Sequence, residues 1–208
     1  MSFPPRFAVL IDGGFMLKKL KSQSHDKRFP TAEQIDAECE RLRRAKELAD
    51  LELLRIYFYH APPSKDELTN PLDQTVVKLG DTNIHRQNEA LLDRLELRPS
   101  FALRLGETVT NEWKLGDRAM RNILKEQRPV SAGDLVPNVQ QKGVDLRIGL
   151  DIARLALRQM VSVLVVVTGD SDLVPAFKFA RREGLRVYLD HMGHGVRRDL
   201  KAHVDLIL

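Results

Sequence analysis

One cysteine, Cys39, is all the sequence holds, so no internal disulfide can brace the fold, and its place on the apolar side of a predicted helix makes it core filling. No apolar run approaches the length needed to cross a bilayer, so no membrane partner is expected. Met1 to Arg6 leads into an apolar stretch too short and too early for a signal peptide, and a cytoplasmic location is expected. Internal repeats, low-complexity tracts and linkers are lacking as well. Also missing are a Gly-x-x-x-x-Gly-Lys phosphate loop, a Gly-x-Gly-x-x-Gly dinucleotide turn, a His-Glu-x-x-His zinc helix and a Gly-x-Ser-x-Gly elbow. Kinase, dehydrogenase and serine hydrolase chemistry are thereby disfavoured.

What is present is globular in kind, with 43% hydrophobic and 30% charged residues in a chain of 208, the usual size of one domain. Residues 1–208 are expected to form a single domain. The net charge of +4 and a pI near 9.3 are compatible with a polyanionic partner without requiring one. Homo-oligomeric assembly is left open.

Phe7 to Ile11 is a continuous apolar run ending at Asp12-Gly13-Gly14, a buried strand followed by a tight turn. A helix is expected from Ala32 to Ala49, with Thr31 and Gln34 as a capping box and Ile35, Cys39 and Leu42 on one face. Leu51 to His60 reads as a strand, broken by Pro62-Pro63; Ile84 to Leu95 as a helix; Phe101 to Leu105 as a strand. Leu115, Ala119, Ile123 and Leu124 place a helix over Trp113 to Glu126, and Gly133 to Gln141 reads as a loop. A helix from Val144 to Leu157, a strand from Val161 to Val167, a helix from Leu173 to Glu183 and a strand from Leu185 to Leu189 follow, before a short helix and a last strand. Strands that alternate with helices and are apolar throughout predict an α/β fold, a three-layer α/β/α sandwich with a mainly parallel central sheet. Ligands bind beyond the carboxyl ends of such strands.

Asp12 and Asp170 are both predicted at those ends. Each has an ordinary reading: Asp12 and Asp170 as turn residues, Asp172 as the N-cap of the next helix. Together with Asp145, at the start of a helix, they form a group of carboxylates that would repel one another unless protonated or bridged by a cation. An all-oxygen set without nearby Cys or His suits Mg²⁺ or Mn²⁺. Asp151 lies six residues after Asp145 and cannot share its helix face, so it reads as a supporting residue, a salt-bridge partner or solvated. His191 and His194 read as solvated loop histidines.

Positive charge falls in two places. Lys114, Arg118, Arg121 and Lys125, spaced four, three and four residues apart, form a basic stripe on the predicted helix, beside Trp113 as an anchor or a base-stacking ring. Arg181, Arg182, Arg197 and Arg198, with Arg186 and Lys201, form a second region, expected near the same edge. Either could bind a nucleic-acid backbone, or be an ordinary solvated face.

In order along the chain, Phe-Ala-Val-Leu-Ile-Asp12-Gly13-Gly14, Lys142-Gly143-Val144-Asp145 with Asp151, and the strand ending Thr168-Gly169-Asp170-Ser171-Asp172-Leu173-Val174-Pro175 resemble the motifs of NYN domains, members of the PIN-like nuclease superfamily, and in particular their LabA-like branch. Where the family often carries asparagine two or three residues after the leading aspartate, this chain has Gly14 and Phe15, and residues 62–137 match nothing in the family pattern. The resemblance implies a PIN-like fold and a metal-dependent nuclease acting on nucleic acid, RNA ahead of DNA. It further implies Asp12, Asp145, Asp170 and Asp172 as the ligands of Mg²⁺ or Mn²⁺, with Thr168, Ser171 and Lys142 contacting phosphate or bound water and Asp151 in support. The rival expectations are a non-catalytic RNA-binding or protein-interaction module that retains the acidic site, and a phosphatase or nucleotide hydrolase acting on small substrates.

Overall fold

A computed structural model describes residues 5–208 of the chain, so residues 1–4 of the Met1–Arg6 stretch lie outside the described residues. The apolar run at the start forms β1 (Arg6–Asp12), and the other strands of the main sheet are β2 (Glu52–His60), β5 (Phe101–Leu105), β8 (Val163–Val167), β9 (Arg186–Asp190) and β10 (Leu206–Ile207). Their order is β10-β9-β8-β1-β2-β5, and every neighbouring pair is parallel. Two small hairpins stand apart: β3 (Glu67–Thr69) with β4 (Val76–Lys78), and β6 (Glu107–Leu115) with β7 (Leu135–Lys142).

Because successive side chains of a strand point to opposite faces, β1 feeds two cores. Phe7, Val9 and Ile11 pack with α1 (Gly13–Gln23), α2 (Ala32–Arg43) and α3 (Asn83–Glu96), through Met16, Ile35, Cys39 and Leu95. Ala8 and Leu10 pack on the other side with α5 (Val144–Leu157), α6 (Val174–Arg182) and α7 (Arg198–Ala202), through Ile148, Ile152, Phe177 and Leu200. The result is the expected three-layer α/β sandwich with a parallel sheet. No described helix is long and apolar enough to cross a membrane.

Four local expectations are corrected. Gly13 and Gly14 open α1 rather than a simple turn: Asp12 caps the helix, and Met16, Leu17 and Leu20 give it a buried stripe. The helix from Ala32 keeps its capping box but stops at Arg43, and a 3₁₀ turn at Lys46–Leu48 follows. A continuous helix would carry Leu48 about 240° round from Leu42, off the apolar face, whereas the break lets it bury completely. Trp113, Lys114 and Leu115 belong to β6, and the helix α4 (Asp117–Glu126) begins only after Gly116. The run Thr-Val-Thr favours a strand, and Trp113 donates from Nε1 to the Thr69 carbonyl at 2.8 Å, which ties β6 to the neighbouring hairpin. The expected loop at 133–141 is a 3₁₀ turn (Ala132–Asp134) and β7, in which Pro137 is tolerated because a two-stranded ribbon has an unpaired edge. Arg128 closes this turn by a bidentate pair with Asp134, both contacts at 2.7 Å, and holds its carboxyl far below the usual carboxylate range.

Gly13 is where α1 presses against β2: a Cβ there would stand 2.6 Å from the Tyr59 carbonyl oxygen and 2.8 Å from the Phe58 ring. Gly149, within α5, would meet nothing within 4 Å. Gly13→Ala is therefore expected to lower stability by about 1–3 kcal/mol and Gly149→Ala to raise it by about 0.5–1 kcal/mol. Denaturant unfolding of both variants checks this, and similar midpoints for the two would contradict the packing described.

Candidate functional site

The strand order reverses between β1 and β8, the first strand of one half of the sheet lying beside the first of the other. Helices leaving neighbouring strands in opposite directions open a cleft at such a point. Asp12 ends β1, and Thr168-Gly169-Asp170 follows β8. The cleft here has a volume of about 480 Å³, and Asp12, Phe15, Lys18, Asp170, His194 and Arg197 are among its walls.

Asp12 is held from two sides. Its Oδ1 accepts the Phe15 N–H at 3.0 Å, and its Oδ2 accepts the Thr168 hydroxyl at 3.4 Å. Thr168 is fully buried, and its oxygen in turn accepts the Asp170 N–H at 3.1 Å, so one hydroxyl couples the ends of the two central strands. Asp170 caps the following 3₁₀ turn (Ser171–Leu173) by accepting the Asp172 N–H at 2.9 Å; this corrects the expectation that Asp172 is the cap. Asp145 stands in the first turn of α5, aimed there by Gly143, whose φ of +72° turns the chain from β7 into the helix.

Electrostatics joins these four carboxylates. Burial raises Asp12 above the ordinary carboxylate value against the Phe15 hydrogen bond, and the charges of Asp145 and Asp170 raise it further. Asp145 is exposed, yet the local loss of water raises it first and Asp170 and Asp172 add to that. No group of three His, Cys, Asp or Glu side chains among the described residues stands close enough to share one ion as the side chains lie. The donor set nevertheless fits a hard, hydrated cation, since Mg²⁺ is commonly held by one or two carboxylates, with water and substrate phosphate completing its shell. By contrast Asp190, the strand-end aspartate of β9, is paired with Arg41 and stands outside the acidic group.

The remaining candidates divide. Ser171 lines the cleft, while Lys142 is exposed at the last position of β7, at the root of the hairpin. Asp151 is taken up elsewhere: it accepts from the Tyr59 hydroxyl and from Arg104 Nε, both at 2.9 Å, and burial, with the Asp151 charge beside it, pushes the phenol up. Arg197 is on the cleft wall, and Arg198 starts α7 beside it. Arg181 and Arg182 do not stand at this edge, where the sequence placed them, because α6 starts near the cleft and runs back to the amino ends of the strands; Arg181 there pairs with Asp205 at 2.9 Å. Arg118, Arg121 and Lys125 are exposed on α4, but Lys114 lies in β6 and leaves the helical stripe. His194 meets the edge of the Phe15 ring, whereas His191 is not the solvated residue expected, its Nδ1 being buried without a hydrogen-bond partner.

Sequence reasoning missed Lys18, which reaches the cleft from α1, and Gln141, whose Oε1 lies 3.8 Å from a Cβ built on Gly14. The period of Met16, Leu17 and Leu20 was the available signal for α1, and with it for Lys18.

The raised Asp12 carboxyl binds its proton more readily in the folded than in the unfolded chain, so its charge opposes folding above the folded pKa and that penalty fades as pH falls. In EDTA, Asp12→Asn is expected to melt higher than the parent at pH 7, by about 2–4 °C for each kcal/mol of repulsion removed, with the gap closing toward acid pH. A lower melting temperature for the variant at pH 7 would contradict the charge frustration described.

Comparison with known proteins adds three findings. No curated protein matches the chain. Among solved structures, a protein of unknown function from Vibrio parahaemolyticus superposes with a TM-score of 0.54 at 14% identity, over 100% of this chain and 95% of that one, a likeness of fold. Residues 96–205 match the NYN domain, a span that includes Asp145, Asp170 and Asp172, starts after Asp12 and takes in residues 96–137, which corrects the expectation that the whole of 62–137 lies outside the family pattern. With more than half of its length matched, the chain belongs to the NYN domain family, within the PIN-like nuclease superfamily.

Proposed function

We propose that the cleft between β1 and β8 hydrolyses phosphodiester bonds of a nucleic acid, RNA ahead of DNA, with Mg²⁺ or Mn²⁺ held by Asp12, Asp145, Asp170 and Asp172. The observation that carries this reading is the mutual repulsion of carboxylates gathered at the switch in strand order, with cationic Lys18 and Arg197 on the same walls. A divalent ion, when bound, supplies neutralisation of charge at phosphorus and activation of water. The chain supplies position. Thr168 and the Phe15 N–H fix the rotamer of Asp12, and the capping bond holds Asp170 toward the cleft. Lys18 and Arg197 are suited to pair with the non-bridging phosphate oxygens, and Ser171 and Lys142 with the phosphates on either side. Water adds its hydroxyl to phosphorus, and the departing sugar oxygen takes up a proton.

The antiparallel arm of β6, β7 and α4 carries Lys114, Arg118, Arg121 and Lys125 away from the cleft, a track for flanking phosphates. Within the family, the motif order points to the LabA-like branch, and the expected substrate is a cytoplasmic RNA. A non-catalytic RNA-binding module is the second reading, favoured by the spread of the carboxylates and by Gly14 and Phe15 where the family often has asparagine.

Cleavage of a labelled single-stranded RNA with Mn²⁺, Mg²⁺ or EDTA tests the proposal. Metal-dependent products should fall by at least about 100-fold in Asp12→Asn and Asp170→Asn. Parental rates in both variants would defeat it, and RNA retention without products in the parent would favour the second reading. For the arm, charge reversal at Arg118, Arg121 and Lys125 is expected to weaken binding of all RNA sequences alike and to flatten the salt dependence by about one unit for each phosphate left unneutralised. An unchanged salt slope would remove the arm from the interface.

A further inference from the structure

Beside the acidic cleft lies a second cavity, of about 320 Å³, where the end of β2 and the segment after it meet α3 and the β6–β7 hairpin. Its surface is largely apolar, from residues such as Pro62, Leu79, Ile84, Pro137 and Val139, and none of its lining residues is Asp, Glu, Lys or Arg. It offers no lysine or arginine to attract a phosphate and no carboxylate to hold a metal. Its size is at the lower end of small-ligand sites, and a neutral, flat group with a polar edge fits such a lining.

The polar edge is supplied by three linked side chains. His60 is 5% exposed, and burial lowers its pKa, so the ring is neutral at physiological pH. Its Nε2 is 3.2 Å from Asn88 Oδ1 and its Nδ1 is 3.3 Å from Gln141 Nε2; we assign the proton to Nε2, which then donates to Asn88 while Nδ1 accepts from Gln141. Asn88 is itself fixed by donating from Nδ2 to the Ile84 carbonyl at 2.9 Å. Gln141 keeps a second N–H and a carbonyl oxygen, the donor and acceptor pair that reads the edge of a nucleobase.

Gln141 also joins this cavity to the acidic cleft. A Cβ built on Gly14 would lie 3.8 Å from Gln141 Oε1 and 3.5 Å from Asp12 Oδ1, so the amide reaches the lip of the site that Asp12 occupies. Tyr59 pairs with Asp12 across the sheet, and His60 is the next residue of the same strand. A group held against His60 is thus adjacent to a phosphate held at Asp12.

We infer that the cavity lined by His60, Asn88 and Gln141 is a nucleobase site, which receives the base of a nucleotide next to the phosphate in the acidic cleft and selects it through the Gln141 amide. This deepens the reading of the cleft as a phosphodiester site and rests on it.

The test uses the full chain in EDTA, titrated with adenosine, guanosine, cytidine, uridine and ribose while the His60 ring and Gln141 amide signals are followed by NMR. Saturable shifts at both residues, with an affinity on the order of 1 mM for one or two of the nucleosides and none for ribose, are expected. Ile84, 65% exposed at the cavity, tolerates a larger side chain, and Ile84→Trp should weaken that binding at least about tenfold. Gln141→Leu, which keeps the bulk and removes the amide, should level the affinities of the four nucleosides. No nucleoside shifts at these residues, or shifts that persist unchanged in Ile84→Trp, would overturn the inference. The titration contains neither metal nor phosphodiester. A protein that binds nucleosides yet cuts no RNA would therefore refute hydrolysis and keep the base site, and one that cuts RNA but ignores nucleosides would do the reverse.

Discussion

Repulsion among carboxylates that the backbone does not allow to separate is the constraint on which this structure turns. Asp12 cannot move away, because the Phe15 amide and the buried Thr168 hydroxyl hold both of its oxygens. Asp170 cannot, because it caps the turn that starts the next helix. Each of these hydrogen bonds is an ordinary device for starting a helix, and each would be found in a protein with no function at this edge. Their effect here is to fix negative charges at the junction of two central strands that are buried on both faces. Asp190 shows the opposite outcome: one strand further out, the same residue type at the same height is neutralised by Arg41 and becomes a structural pair.

The surroundings of the acidic group divide by charge. The cleft itself has Lys18 and Arg197 beside its carboxylates, the lining of the neighbouring cavity holds no charged residue, and the arm beyond presents cations. A polymer alternates in the same way, with anionic phosphates joined to neutral bases. Gln141, at the boundary, faces both environments with one amide.

Much of this was legible in the sequence where burial dictates pattern. The strands from Phe7 and Val163 are apolar on both faces because both faces are covered, and a run of that kind has few alternatives. The aspartates at their ends could be placed from the strand boundaries alone. The legible pattern failed where a short element depends on partners distant in sequence. The hairpin of β6 and β7 is held by pairing between segments about thirty residues apart, so Trp113 and Leu115 could be taken for the start of a helix, and with them Lys114. The first helix was hidden because two glycines read as a turn when the Tyr59 carbonyl that demands Gly13 is not visible. The far position of Arg181 and Arg182 follows from helix direction, which spacing along the chain does not convey.

The β6–β7 excursion leaves the sheet and returns to it at one place. Glu107 and Lys142 are paired across the ribbon, and a Cβ on Gly106 would stand 2.5 Å from the Lys142 carbonyl oxygen, so entry and exit touch. A segment closed in this way behaves as a cassette: its length, its helix and its charges can all change while the join stays the same and α5 still begins with Asp145 within electrostatic reach of Asp12. The position of the aspartates and the make-up of the arm are therefore separable in this fold, and the arm can be exchanged while the aspartates stay where they are.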